Sequence, residues 1–292
     1  MNVIFQVDGG LGKSIMATAV LKAIKKQYSK ANIIVVSSYP DVFIGNPNVN
    51  KVLTHETMSG IYEKYIMGKE AKVFVTDPYT TSSYITEEKH LIQLWCEMYG
   101  LNYEGEKPEL FISKAEKQYF ESFYKLDKPI MVIQPHGGAI NQPLKYGWTR
   151  DIPQPIMQDI INHYANDYAI LHVKREDQII YENTFQALDS FRSIAVLLSM
   201  SKKRLLIDSS VMHIATALNL PSVVTWVGTN PNVFGFDIHN NIMANEPTKK
   251  PDLNHPHYSK YLLFQDISSI PYNDLYEVFD IQKIVNAIEQ QQ

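Results

Sequence analysis

A single cysteine, Cys96, is all the sulfhydryl chemistry that 292 residues carry. That excludes an intramolecular disulfide and an all-cysteine metal site, and it fits a reducing compartment. No apolar run approaches the roughly 18 residues needed to span a bilayer. The opening Met1-Asn2-Val3-Ile4-Phe5-Gln6-Val7-Asp8 lacks the basic start, long apolar stretch and small-residue cleavage site of a signal peptide. A soluble, cytoplasmic protein is expected, with peripheral membrane contact left open. Neither sign of charge dominates: the net charge of -4 gives no global pull toward DNA or acidic membrane, although it does not exclude a local basic patch. Short repeats, low-complexity tracts and any Asp-x-Asp are also missing.

What is present is a substantial apolar fraction, 45% of residues, enough for one large core or two ordinary ones. Short β-rich runs alternate with helical patterns. Val3–Val7, Ile33–Ser37, Lys51–Leu53 and Lys72–Thr76 read as strands, Ser14–Lys26 and His90–Tyr99 as helices. Apolar strands between amphipathic helices predict a parallel sheet covered on both faces. After polar, turn-rich Asn102–Pro108, the segment Leu126-Asp127-Lys128-Pro129 interrupts the next helix, which places an interdomain linker near 125–129. The pattern then restarts. Ile130–Gln134, Ala169–Val173, Arg204–Ile207 and Ser222–Val227 read as strands; Ile156–Tyr164, Ser193–Ser199 and Val211–Leu218 read as helices. Residues 237–275 read as irregular, and Ile281–Glu289 closes the chain as a helix. The expected division is 1–127 and 128–279, with the helix in 280–292 a candidate to pack back onto the first domain. Two successive α/β sheets predict a cleft between them, with ligands beyond the C-terminal ends of the strands.

The loop Asp8-Gly9-Gly10-Leu11-Gly12-Lys13-Ser14 invites comparison with a phosphate-binding P-loop, but Val7 stands where that pattern needs its first glycine. A dinucleotide fingerprint fails too, because its third glycine would fall at Ile15. What remains is a strand-to-helix turn. Gly10, Gly12 and the N–H groups around them can hold an anion or a sugar hydroxyl, or can serve only as a tight turn.

In the second half, four polar segments follow strands. They are Gln134-Pro135-His136-Gly137-Gly138 with Lys145 and Trp148 beyond it, Lys174-Arg175-Glu176-Asp177, Asp208-Ser209-Ser210-Val211-Met212-His213, and Gly228-Thr229-Asn230-Pro231. Asp208, Ser209 and Ser210 are all good helix caps. A helix start there offers unpaired N–H donors and about half a positive charge, which suits a diphosphate. Ser209 and Ser210 can add hydroxyl donors, Lys145 a full positive charge, and Glu176 an acceptor for a ribose diol. Each also has a plainer reading: Ser-Ser as a cap, Lys145 as a solvated lysine, His213 as a packed histidine.

These segments together resemble the ADP-heptose–lipopolysaccharide heptosyltransferases, glycosyltransferase family 9, over nearly the whole chain. The family's opening helix is similar to Gly12-Lys13-Ser14-Ile15-Met16-Ala17-Thr18-Ala19-Val20-Leu21, and its Asn-Pro-x-Val-Asp-x-Val to Asn46-Pro47-Asn48-Val49-Asn50-Lys51-Val52. Its histidine-to-Gly-Leu helix resembles His90 to Gly100-Leu101, and its Pro-Gly-Ala segment resembles Pro135-His136-Gly137-Gly138-Ala139 with Lys145 and Trp148. The most specific match is Asp-[Ser/Thr]-Gly-x-x-His-x-x-x-Ala, seen as Asp208-Ser209-Ser210-Val211-Met212-His213-Ile214-Ala215-Thr216-Ala217. The family's Phe-Gly-Pro-Thr-[Asn/Asp]-Pro resembles Trp226-Val227-Gly228-Thr229-Asn230-Pro231.

The resemblance implies a GT-B fold of two Rossmann-like domains facing across a cleft, with donor on the C-terminal one and acceptor on the N-terminal one. It implies an inverting, metal-independent transfer from a nucleotide sugar to a surface glycan or other hydroxylated acceptor, with no cofactor beyond the donor. By that resemblance Gly10, Gly12, Gly137, Gly138, Lys145, Asp208, Ser209, Ser210, Val211 and Met212 surround the donor, with Glu176 at the nucleoside and His213 in a supporting role. Two departures matter. Lys13 stands where the family has its aspartate base, so Asp8, or else Asp77 in Thr76-Asp77-Pro78, is the candidate base. Ser210 replaces a glycine. The alternatives are a transferase acting on a modified DNA base, as some phages encode, and a catalytically silent nucleotide-sugar-binding protein.

Overall fold

The computed structural model describes residues 1–137, 148–187, 190–248 and 270–291. By their contacts the residues form two compact units, Met1–Ser113 and Lys114–Gln292.

The first unit runs β1 (Asn2–Val7), α1 (Leu11–Gln27), β2 (Asn32–Ser37), β3 (Lys51–Leu53), α2 (Ile61–Tyr65), β4 (Ala71–Phe74), α3 (Ser82–Ile85) and α4 (Leu91–Met98). Its strands are all parallel, in the order β3-β2-β1-β4. Central β1 and β2 are almost wholly buried, while the edge strands β3 and β4 are largely open to solvent. That contrast is why the central strands read as apolar runs and the edges barely did. α1 is buried along nearly its whole length. Ser14, Ala17, Thr18, Ala19 and Ala23 keep its girth small between the sheet and α4. The helix begins three residues ahead of the expected Ser14, because Gly10 in extended conformation serves as its N-cap.

The second unit runs α5 (Lys114–Glu121), β5 (Ile130–Ile133), α6 (Gln154–Tyr164), β6 (Ala169–His172), β7 (Phe185–Gln186), α7 (Phe191–Met200), β8 (Lys203–Ile207), α8 (Ser210–Ala217), β9 (Val223–Trp226), α9 (Pro231–Phe234), β10 (Asn240–Met243) and α10 (Ile281–Glu289). Its sheet is parallel throughout, ordered β10-β9-β8-β5-β6-β7. Residues 237–275 are therefore not irregular throughout, since β10 adds an edge strand along β9. α5 belongs with this unit, ahead of the turn at 125–129, because it packs on α7. The Arg192 guanidinium clasps Glu116 at 2.8 and 2.9 Å, and Tyr124 meets the Ser193 hydroxyl at 2.7 Å.

α10 packs on α6, β8 and β9 of the second unit. Its apolar face, Ile284, Val285, Ala287 and Ile288, completes a core with Met131, Ile133, Ile160 and Leu205. Its C-terminal carbonyls are seated on a buried lysine: Lys203 Nζ donates to the oxygens of Ile288, Glu289 and Gln291 at 2.8, 3.2 and 2.9 Å. A cation there complements the negative end of the helix dipole. Lys203→Met is expected to destabilise the unit by about 1–3 kcal/mol, since three charge-assisted bonds go and water reaches only some of the exposed carbonyls. Thermal unfolding checks this; a midpoint unchanged within about a degree would show that the contacts contribute nothing.

Candidate active site

Each sheet has one place where the chain, having left a strand toward one edge, returns to that strand's other side. In the second unit that switch point lies between β5 and β8, and in the first between β1 and β4. Beyond the C-terminal ends of the strands at such points, no connection fills the crevice and ligands bind. Polar residues converge at both.

In the second unit, α8 starts directly beyond β8. Ser209 is its N-cap, in extended conformation, with Oγ accepting from the Val211 N–H at 3.3 Å. The same hydroxyl donates to Oε1 of Gln134, which follows β5, so one hydrogen bond spans the switch point. Ser210 is half-buried beside it. The first-turn N–H groups of a helix have no intrahelical acceptor, so this end is suited to an anion. Val211 and Met212 bury their side chains, so they can offer a ligand only backbone. Asp208 is buried with the Arg150 guanidinium 3.8 Å away. His213, one turn in, is buried with its ring edge-on to Phe236 at 5.9 Å.

Around this point the β5 and β6 loops are tied together. Gly137 N–H donates to Asp151 Oδ1 at 2.9 Å, while its carbonyl accepts from Arg175 and Gln178 at 3.4 Å. A Cβ at Gly137 would meet Ile207 Cδ1 at 3.2 Å, so the loop runs tight against β8. Arg175 is clamped to Asp177, and Glu176 between them is exposed in the turn, open to a ligand hydroxyl. Gly138 and Lys145 lie outside the described residues.

Beneath the loop is a group that sequence reasoning did not single out. His136 bonds Asp151 Oδ2 through Nδ1 at 3.0 Å and the Tyr181 hydroxyl through Nε2 at 2.9 Å, with its ring parallel to the Tyr181 ring. Fully buried His172 lies below, with neither ring nitrogen hydrogen-bonded. Burial, then the nearby positive charges of His136 and Lys174, push its pKa down to about 3, so it is neutral. Asp151 and Tyr181 fall outside every strand-end motif, which is why the pattern concealed them.

In the first unit, Asp8 follows β1 and Asp77 follows β4, on either side of the switch point. Gly9 makes the turn at φ +103°, a conformation open mainly to glycine. Gly10 has open space around its Cα, whereas Gly12 is half-buried in the first turn of α1. Lys13 turns inward. Its Nζ is 2.5 Å from Asp77 Oδ2 and lies over the rings of Tyr79 and Trp95, at 5.3 and 5.5 Å. Asp77 Oδ1 accepts from the Tyr79 N–H, so both oxygens of that carboxylate are engaged. Asp8 accepts from Gln6 Nε2 and lies 3.0 Å from Nε2 of His55, a residue beyond β3 that no motif marks.

Among the described residues no group of three or more His, Cys, Asp or Glu is placed to hold a metal ion, and no helix is long and apolar enough to cross a membrane.

No protein family and no curated protein matches the sequence. Solved structures do match. A glycosyl transferase of family 9 from Veillonella parvula is similar over 99% of this chain and 96% of its own, with TM-score 0.68 and 13% identity. The ADP-heptose lipopolysaccharide heptosyltransferase II of E. coli matches over 99% and 98%, at 0.65 and 14%. The iron-containing dodecameric glycosyltransferase TibC of enterotoxigenic E. coli matches over 99% and 76%, at 0.69 and 12%. The chain therefore has the GT-B fold of these glycosyltransferase structures, two Rossmann-like α/β units with parallel sheets.

Proposed function

We propose that the protein is a glycosyltransferase that moves a sugar from a nucleoside-diphosphate donor to a hydroxyl acceptor, inverting the anomeric centre without a metal. The observation that carries this is the start of α8: an anion-ready helix end, set at the switch point of a Rossmann-ordered sheet and braced by Ser209 on Gln134. The shared fold supports it, and an ADP-sugar is the first donor to try, since one similar structure is named as an ADP-heptose transferase. In this reading Ser209, Ser210 and the α8 N–H groups hold the diphosphate, joined by Lys145 and Gly138, while Glu176 takes the ribose. Positive charge fixed at the leaving diphosphate lowers the barrier to its departure. The acceptor proton goes to the first unit, to the group built around Asp8 rather than to Asp77, whose charge is already met by Lys13.

The test is a thermal-shift screen of ADP-, UDP- and GDP-sugars, because a ligand bound only to the folded state raises its stability by mass action. Ser210→Asp is the discriminating variant. A carboxylate in the first turn suits the helix dipole, so the fold should keep its stability. Set beside a diphosphate, the same charge should weaken donor binding by roughly tenfold or more. Undiminished affinity in that variant would sink the assignment. Turnover that survives exhaustive chelation is the expected result for metal independence, and turnover abolished by chelation would refute it.

A further inference from the structure

Asp8 and Asp77 each have their carboxylate oxygens occupied by protein donors. One nitrogen beside them is not occupied. His55 Nε2 is on Asp8 Oδ1 at 3.0 Å, and its Nδ1 has no hydrogen-bond partner among the described residues. The ring is 37% exposed and the carboxylate 54%, so an arriving hydroxyl can reach the pair. Strand order brings them together: β3 and β1 flank β2, and the segment after β3 reaches over the end of β2 to the end of β1.

We infer that His55 is the general base of the transfer and Asp8 its positioning residue. The inference rests on the transferase reading and deepens it. A carboxylate bonded to one ring nitrogen places the proton there, leaves the lone pair on the other, and stabilises the imidazolium that forms. With Nε2–H donated to Asp8, Nδ1 accepts. Gln6 Nε2 donates to the same carboxylate at 3.0 and 3.3 Å and holds it in place.

The step balances. Nδ1 of His55 takes the proton of the acceptor hydroxyl as that oxygen bonds the anomeric carbon. The bond from that carbon to the donor diphosphate breaks, and its electron pair leaves with the nucleoside diphosphate. The proton remains on the imidazolium facing Asp8 until it passes to solvent. Water in place of the acceptor follows the same course and gives donor hydrolysis. Lys13, ammonium-bound to Asp77, takes no part in moving the proton.

Two measurements on the full chain decide this. Long-range proton–nitrogen NMR, with His55 assigned by its loss in His55→Gln, should show the neutral ring protonated at Nε2, and Asp8→Asn should perturb that signal. A proton on Nδ1, or a signal indifferent to Asp8→Asn, overturns the dyad. Release of nucleoside diphosphate from ADP-heptose and the other ADP-, UDP- and GDP-sugars is the second measurement. His55→Ala should slow it by roughly 10²–10⁴-fold with donor affinity unchanged, and added imidazole should restore part of the rate. Asp8→Asn should lower kcat and leave KM for the donor as it was. Full turnover in His55→Ala overturns the base assignment and leaves the transferase reading standing. A wild-type chain that binds none of the nucleotide sugars overturns the transferase reading itself, and the base assignment with it.

Discussion

Between pH 7.5 and pH 4.5 the second unit is expected to lose on the order of 5 kcal/mol of stability through two buried histidines. Burial and the nearby charges of His136 and Lys174 hold His172 near pKa 3. Burial, with His213 and Arg204 nearby, holds His239 near 4 despite an opposing backbone hydrogen bond. Unfolded, each returns to the ordinary histidine value of 6.5. Below that value the unfolded chain binds protons that the native chain refuses, so stability is complete above pH 6.5 and falls as pH drops toward the folded values. At pH 4.5 each ring is about two units below its unfolded pKa, and each unit is about 1.4 kcal/mol. No partner offsets the loss at His172, whose nitrogens are buried and unbonded. His239 Nε2 meets Thr216 Oγ1 at 2.8 Å, and Thr216 already donates its own proton to the Met212 carbonyl. His239 therefore serves as a neutral Nε2–H donor. A loss of this size is comparable with the whole stability of many domains. Urea unfolding at a series of pH values measures it. The slope near pH 5 should approach two protons per molecule and fall toward one in His172→Leu. Flat stability from pH 7 to 5 would mean that both rings are hydrated and charge without unfolding the chain.

The same two residues show where sequence reading stops. β6 was legible because a central strand of a covered parallel sheet must be apolar on both faces, and Ala169 to His172 is fully buried. That its last residue is a buried histidine with neither ring nitrogen hydrogen-bonded is a matter of packing between elements, which no periodicity encodes. β7 and β10 were missed for the converse reason. Edge strands bury little, so Phe185-Gln186 and Asn240–Met243 need no apolar run. Ser209 could be found because a cap followed by an apolar helix face is a local signal. Its bond to Gln134, 75 residues away, follows from strand order. His55 belongs to no motif, and only the arrangement β3-β2-β1 carries it to Asp8. Lys13 was legible as a departure from the resembled pattern, but its destination was not: Asp77 lies 64 residues on, across the switch point.

That pair carries the second large effect. Asp77→Ala is expected to destabilise the first unit by about 2–3 kcal/mol, and Lys13→Met by less than about 1. The asymmetry comes from burial. The Lys13 side chain is 7% exposed and the Asp77 side chain 42%. Removing the carboxylate strands an ammonium between the faces of Tyr79 and Trp95, where water reaches it poorly. Two ring faces recover only part of that loss. Removing the ammonium leaves a carboxylate that water can solvate, and methionine fills the vacated channel with an unbranched chain of similar length. Asp77→Asn should fall between the two, because the amide oxygen can still accept from the Tyr79 N–H and preserve the turn over Pro78–Thr80. Combining Lys13→Met with Asp77→Asn should recover most of the loss seen in Asp77→Asn alone, since no charge is then left unmet. Urea unfolding of the four variants gives the ordering. If Lys13→Met costs as much as Asp77→Ala, the pair stabilises the fold outright, and a lysine at position 13 needs no functional reason. If the predicted asymmetry holds, Lys13 depends on Asp77 for tolerance. The carboxylate beyond β4 is then committed to that lysine, and the proposed proton transfer is left to the residues beyond β1 and β3.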